Sequence, residues 1–526
     1  MPARVARAVL LAAASLALLA PAATARTHAR HHSRIKHSVA HGVTPLAAEA
    51  PDKPGTPSAA GDACTTPAPE HVYPFYHCYT PQQISDAYNV TSLHDAGTLG
   101  QGQTIVLVDS YGSPTASDDL QVFHDTFYKD LPDPKFDQVC SGKCHDYNNV
   151  ANGNGQSGPN AAEGWAGEAN LDIEWAYAMA PEAHIVLLAV PPAETEGVQG
   201  FPNLFKAIQA AIDKYPPGTV FSQSFGVTEQ TFGGAAATQT ARFDQVYKSA
   251  IAKGDTVLAS SGDDGSSGVS KQQKDTRYYP FANVGWPASS PYVTAVGGTQ
   301  LQYGWTWDPT SDTPFNSDGS FNTPYWTWTD GGNSEPVWNE SWLPAASGGG
   351  PSTIYKRPSY QDPVASSIVN TDGNQVNARG VPDVAWNAAV NGGVLVYESF
   401  FPNRDRVGWH VFGGTSAASP QVAGLVALAN QQQADSDEPP VGFLNPLIYG
   451  VGGAPYRDVL PQTFGTAVSG QLENNRLFSY NGDGQAVTPG PVPGLPVTSG
   501  WDETTGYGSP DGANWVAAIR AARNAP

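Results

Sequence analysis

The sequence predicts an α/β fold, with a central, mainly parallel sheet and helices on both of its faces. Three observations predict it. Short apolar runs such as Thr104–Val108 (TIVLV) and His184–Val190 (HIVLLAV) alternate with helical stretches. Hydrophobic residues make up 40% of the 526, enough for a large core. Charged residues are scarce at 14% while 55 Gly and 45 Pro are present, which suits many tight loops laid over that core.

Taken in order, Gln82–Val90 reads as a first helix and Thr104–Val108 as a strand. A loop at Asp109–Gly112 leads to a helix through Leu120–Phe127. A helix from about Gly167 to Ala178 stops at Ala180-Pro181, and His184–Val190 is the next strand. Leu204–Lys214 and Ala241–Lys253 read as helices, Thr219–Ser224 and Thr256–Ser260 as strands. In such sheets ligands collect at the loops leaving the carboxyl ends of the strands. Residues 302–346 break the rhythm with Trp305, Trp307, Trp326, Trp328, Trp338 and Trp342. They read as a long loop or β-hairpin insertion, its aromatics either lining a substrate or glycan groove or packing on their own domain.

Residues 1–25 read as a signal peptide: Arg4 and Arg7, an apolar run Ala8–Ala20, then Ala23-Thr24-Ala25 as a small-residue cleavage site. No later run of 18 apolar residues offers a membrane span. A secreted, extracellular protein is therefore expected. Residues 26–79 form a short prosegment or linker, rich in Ala, His, Arg, Pro and Thr and without periodicity, and residues 80–526 form the main domain.

The net charge is −21, and six of the 27 basic residues fall before residue 42, where no acid occurs. The remainder is strongly acidic, so neither nucleic acid nor an anionic membrane is an expected partner. In acid that self-repulsion falls, which suits an acidic working environment. A monomer is expected. Of the pairings open to four cysteines, Cys64–Cys78 and Cys140–Cys144 close the shortest loops and are the expected disulfides.

Three segments carry chemistry. In Gly413-Gly414-Thr415-Ser416-Ala417-Ala418-Ser419-Pro420, a serine stands where a helix begins, ahead of the apolar run Val422–Ala429. The dipole and free N–H groups of a helix start favour an oxyanion there, although a plain N-cap serine has the same sequence. A nucleophilic serine needs a base. His410 is six residues upstream, in a strand-like run. Glu168 and Asp172 are the better pair: four apart on a helix, they share a face. Proximity raises the pKa of one of them, giving a base that works in acid, unless the two simply line a solvated face. The third segment, Ser260-Ser261-Gly262-Asp263-Asp264-Gly265, follows a strand directly. Asp263, or its neighbour Asp264, is a turn former there or, once protonated, an oxyanion donor.

Glu-x-x-x-Asp, then Ser-Gly-Asp, then Gly-Thr-Ser-x-x-x-Pro, in that order, resembles the sedolisin family of serine-carboxyl peptidases. Ser222-Gln223-Ser224-Phe225-Gly226, Ala295-Val296-Gly297-Gly298-Thr299, Gly348-Gly349-Gly350 and Gly380-Val381-Pro382-Asp383-Val384 agree with it, and the likeness runs from about Thr80 to the C-terminus. The resemblance implies a subtilisin-like three-layer fold and hydrolysis of protein or peptide substrates. It implies Ser416 as nucleophile, Glu168 as general base and acid, Asp172 orienting Glu168, and Asp263 in the oxyanion hole. It also implies one calcium ion in a C-terminal loop region, held by the carboxylates of Asp458 and Asp502 and the carbonyls of Val459, Thr498 and Gly500; such oxygen-only ligation suits Ca2+. The large folded prodomain usual in that family has no room in residues 26–79. Three other readings compete: a Ser-His-Asp enzyme using Asp109, for which no His-Gly-Thr-His segment exists; a catalytically inert fold binding glycans or proteins through the tryptophans; and an exopeptidase releasing tripeptides.

Overall fold

The structure is a computed structural model. It describes residues 41–42, 78–142, 159–190, 198, 200–271, 277–307, 326–340, 345–390, 392–400, 407–462, 471–477, 479–480, 486–487 and 492–525. The expected signal peptide, Cys64 and Cys144 lie outside the described residues.

A two-residue strand, β1 (His41–Gly42), comes first. Helix α1 (Pro81–Ala87) starts at a capping box in which the Thr80 hydroxyl accepts from the Gln83 amide and Gln83 reaches back to the Thr80 amide. It ends sooner than the sequence suggests, because Asn89 takes a positive φ of 57° and a separate short helix, Thr91–Asp95, follows. Then come β2 (Thr104–Asp109), α2 (Ala116–Phe127), β3 (Lys135–Cys140), α3 (Pro159–Met179) and β4 (His184–Ala189). After these follow α4 (Phe201–Lys214), β5 (Val220–Gln223), β6 (Phe225–Thr228), α5 (Ala236–Lys253), β7 (Thr256–Ser260), β8 (Gly285–Trp286) and β9 (Thr294–Thr299). A hairpin of β10 (Gln302–Trp307) and β11 (Trp326–Ser334) precedes β12 (Val384–Asn387), β13 (Gly393–Glu398) and β14 (Gly408–Phe412). Helix α6 (Thr415–Ala434) and the C-terminal α7 (Gly512–Arg523) complete the frame.

Seven strands form one sheet in the order β12-β9-β7-β5-β2-β4-β3, and every neighbouring pair is parallel. The apolar runs are its central strands, buried on both faces. The edge strand β3 was not legible in the sequence: Lys135–Cys140 is polar and half-exposed, and it is a strand because β4 offers it an edge. From β2 the chain first builds towards β4 and β3, then returns to the other side of β2 for β5, β7, β9 and β12. The order therefore reverses between β2 and β5, and the crevice at their carboxyl ends is where a ligand site is expected.

Helices α3 and α6 lie against each other on one face of the sheet. Gly424 permits the approach: a Cβ there would stand 2.4 Å from the Met179 Cβ. Both helices are buried around nearly their whole circumference, α3 from Trp165 onward. Apolar residues on all sides mark central helices, and any carboxylate they carry is forced into the interior.

The Trp-rich stretch is in part the expected hairpin. Trp305 pairs with Trp328 and Trp307 with Trp326. Trp338 is in the core, clustered with Ala345, Ala388 and Ala389, and its indole N–H donates to Glu340 at 2.8 Å. Residues 308–325 and Trp342 lie outside the described residues.

Candidate active site

The sequence-predicted residues converge on that crevice. Asp109 ends β2, Ser224 follows β5, and Asp263 lies in the loop leaving β7. Glu168 and Asp172 come from α3, one turn apart, with relative exposures of 1% and 0%, which removes the solvated-face alternative. Ser416, also 0% exposed, is the second residue of α6. Gly414 holds the cap position, so Ser416 is not the N-cap. Its amide therefore stands in the first turn of the helix, at the positive end of the helix dipole. Ser222 fixes the helix to the sheet through its hydroxyl, 2.8 Å from that of Ser419.

The Ser224 hydroxyl donates to Asp172 Oδ1 at 2.9 Å. Neither oxygen of Glu168 has a hydrogen bond of ordinary geometry, and the charges that act on it are those of Asp172, Asp109 and Asp263. Burial first, then these like charges, raise its pKa well above the usual carboxylate value, while the Ser416 hydroxyl pulls the other way. Loose contacts of this kind are common before substrate tightens a site.

Asp263 is chosen over Asp264 by α6. The Thr415 amide and hydroxyl both donate to Asp263 Oδ1, at 2.9 and 2.8 Å, and the Gly262 amide donates to the Thr415 hydroxyl at 3.1 Å. Asp263 Oδ2 is buried and has no partner. Burial raises this carboxyl to about 7, against the two Thr415 bonds. Its proton therefore belongs on Oδ2, facing the Gly413–Ser416 turn. Gly414 is required there: its φ is +95°, and a Cβ would lie 2.8 Å from Asp263 Oδ2. Asp264 forms a main-chain bridge with Ala346.

Asp109 is the residue that sequence reasoning left out of the site. It reads as the aspartate of a Ser-His-Asp enzyme, yet it joins Glu168 as a further buried carboxyl. It is fully buried, neither of its oxygens has a partner, and burial raises it to about 8. Its place at the end of a strand beside the switch point was the available signal. His410 takes no part in that scheme: it is buried in β14, opposite Val396. A carboxyl whose folded pKa exceeds its unfolded value binds its proton in the native state, so its contribution to stability is complete below about 4 and is lost as pH rises through about 8. We expect the melting temperature to fall from pH 5 to pH 8, and to fall less in Asp109→Asn; parallel melting profiles of the two proteins would contradict this.

The C-terminal loops that carry Asp458 and Asp502 lie side by side. Gly500 N–H and the Ser499 hydroxyl donate to Asp458 Oδ2 at 2.9 and 3.1 Å, and Thr498 N–H donates to Asp502 Oδ2 at 2.8 Å. Among the described residues no three His, Cys, Asp or Glu gather as a metal cluster. A cation here would therefore take most of its ligands from main-chain carbonyls. Two carboxylates plus carbonyls form an oxygen-only donor set, which fits calcium.

With this geometry in view, the likeness to known proteins is direct. Residues 116–471 match the profile of the Subtilase family. The chain belongs to the subtilase family. Its relatives place it on the sedolisin branch. It is 31% identical to kumamolisin of Bacillus sp. (strain MN-32) over 443 residues, 84% of this chain and 63% of the relative. It is 28% identical to human tripeptidyl-peptidase 1 over 441 residues, 82% of this chain and 62% of the relative. The chain thus spans a little under two thirds of the length of these curated relatives. A solved structure of Pseudomonas sedolisin, a serine-carboxyl proteinase complexed with two molecules of pseudo-iodotyrostatin, superposes with a TM-score of 0.57 at 25% identity, over 85% of this chain and 99% of that one.

Proposed function

We propose that this subtilase is an acid-acting serine-carboxyl endopeptidase, exported from the cell, that cuts protein or peptide substrates through an acyl-enzyme on Ser416. The observation that carries this reading is the buried carboxyl cluster around a serine at a helix start, with no histidine in it among the described residues. Below pH 7, Asp263 and Asp109 are neutral, which removes two of the three like charges acting on Glu168. The remaining charge can then reside on the Glu168–Asp172 pair.

Glu168 takes the proton of Ser416 as its oxygen attacks the peptide carbonyl, and Asp172, held by Ser224, orients Glu168. The oxyanion is met by the Ser416 amide and the Oδ2 proton of Asp263. Glu168 then protonates the leaving amine and later activates the water that releases the acyl group. Above about 7, Asp263 ionises and its donor becomes a repulsive charge. The reading is tested by digestion of a denatured protein from pH 2 to 8. Activity should peak in acid; absence of hydrolysis at every pH would overturn it and favour a binding fold.

One calcium ion would be held by Asp458 and Asp502 and the carbonyls of Val459, Thr498 and Gly500. It would supply charge neutralisation and a tie between two loops remote in sequence. EDTA should lower the melting temperature in mild acid, since a ligand bound only to the native state stabilises it; an unchanged melting curve would remove the site. No described cysteine is a free thiol. Because the other two cysteines lie outside the described residues, the pairings Cys64–Cys78 and Cys140–Cys144 stand as proposals. Among the described residues no helix is long and apolar enough to cross a membrane.

A further inference from the structure

We propose that Ser347 is a positioning residue for the oxyanion aspartate: it ties the Asp263 loop to the C-terminal loop around Asp502, and so sets where the Asp263 carboxyl points. The role rests on the reading of Asp263 as an oxyanion donor, whereas the tie between the loops does not. The carboxyl of Asp263 is fastened to α6 by the amide and hydroxyl of Thr415. Its main chain is fastened by residues 346–348. The Ala346 amide donates to the Asp263 carbonyl at 2.8 Å, the Gly348 amide to the Gly262 carbonyl at 2.8 Å, and the Gly265 amide to the Ala346 carbonyl at 3.0 Å. Ser347, between them, turns its main chain to other partners. Its amide donates to the Trp338 carbonyl at 3.0 Å, and its carbonyl accepts from the Asn475 side-chain amide at 3.2 Å.

The Ser347 side chain is the pin, and it is fully buried. Its hydroxyl accepts from the Gly298 amide of β9 at 3.0 Å and donates to the Thr504 carbonyl at 2.6 Å. The Thr504 amide in turn donates to Asp502 Oδ1 at 2.9 Å. A path of hydrogen bonds therefore runs from Asp502 through Ser347 to the main chain of Asp263. Both loops also press on this segment. A Cβ on Gly348 would stand 2.6 Å from the Ser261 carbonyl oxygen, and one on Gly349 would stand 1.9 Å from that of Glu503. Only glycine fits at either place, which accounts for two residues of the run Gly348-Gly349-Gly350 that the peptidase chemistry leaves unused.

Without that hydroxyl the Gly298 amide and the Thr504 carbonyl lose a buried partner, and residues 346–348 lose their anchor on the C-terminal loop. The Asp263 carbonyl then moves with Ala346, while its Oδ1 stays on Thr415. The side chain turns between these two ends, and Oδ2 leaves its position facing the Gly413–Ser416 turn. A donor displaced in this way loses its hold on the oxyanion of the transition state, where its charge develops, and little of its hold on the bound substrate. The effect therefore belongs in kcat.

Two measurements on the full chain test the two halves. Hydrogen exchange reads the tie and needs no activity. In Ser347→Ala, exchange of the Gly265, Ala346 and Gly348 amides should speed up by roughly tenfold or more, with the Ile105–Val108 amides of β2 unchanged. Equal exchange in variant and wild type, or a rise common to both regions, overturns the tie. Kinetics read the positioning. Ser347→Ala should lower kcat by about ten- to a hundredfold with KM little changed, the scale on which a displaced catalytic group costs rate. In an Asp263→Ala background the same substitution should cost no more than about twofold, because the donor it aims is gone. An unchanged kcat, a rise in KM alone, or a larger loss in that background overturns the positioning role and leaves the peptidase reading standing. A wild type that hydrolyses nothing overturns the positioning role together with that reading, and exchange still decides the tie. Should Ser347→Ala not fold, Ser347→Cys, which keeps the shape and weakens both hydrogen bonds, is read in the same way.

Discussion

Ser416→Ala and Glu168→Gln should each lower peptide-bond turnover by about four to six powers of ten, the scale on which a nucleophile or its base is lost. Ser416→Ala leaves no oxygen to form the acyl-enzyme. Glu168→Gln keeps the shape of the side chain but cannot accept the serine proton. Because Glu168 is 1% exposed and its charge is disfavoured by burial, the glutamine form should be at least as stable as wild type near neutral pH. Loss of activity with an unchanged circular dichroism spectrum therefore assigns the role to chemistry. Asp172→Asn should cost less, about two to four powers of ten, since Asp172 acts by orienting Glu168. Half of wild-type activity in either Ser416→Ala or Glu168→Gln would end the triad assignment.

Asp263→Ala should lower kcat by about 10²–10³ with KM little changed, the cost of removing one oxyanion donor. Asp263→Asn should behave differently. The two Thr415 donors require an acceptor at Oδ1, so the asparagine amide group takes the Oδ2 position and still donates into the site. The wild-type donor is lost as pH rises through about 7, where the carboxyl ionises. An amide does not titrate, so Asp263→Asn should keep more of its acid activity between pH 5 and 7.5 than wild type keeps of its own. The ratio of kcat at the two ends of that range is the measurement. An asparagine variant as impaired as the alanine one would show that Asp263 is not a donor to the oxyanion.

Much of the site was legible because its parts are local. The four-residue spacing of Glu168 and Asp172, the glycines before Ser416 and the position of Asp263 after a strand each describe one turn of backbone. Their order along the chain supplied the resemblance. Asp109 was missed because its role depends on which strand lies beside β2, and that follows from a crossover spanning more than a hundred residues. The choice between Asp263 and Asp264 likewise rests on Thr415, which is 152 positions from Asp263.

The sequence by itself determined the α/β alternation, the helix carrying two carboxylates, the serine at a helix start and the acidic character of the chain. These follow from periodicity and composition, which act between near neighbours. Only the tertiary structure decided that the carboxylates are buried rather than solvated, that Ser416 stands inside the helix rather than capping it, and that Asp109 completes the cluster. It alone paired His41–Gly42 with β6. The physical reason is that a carboxyl's charge state and a strand edge's availability are set by whatever packs against them, and those partners come from distant parts of the chain.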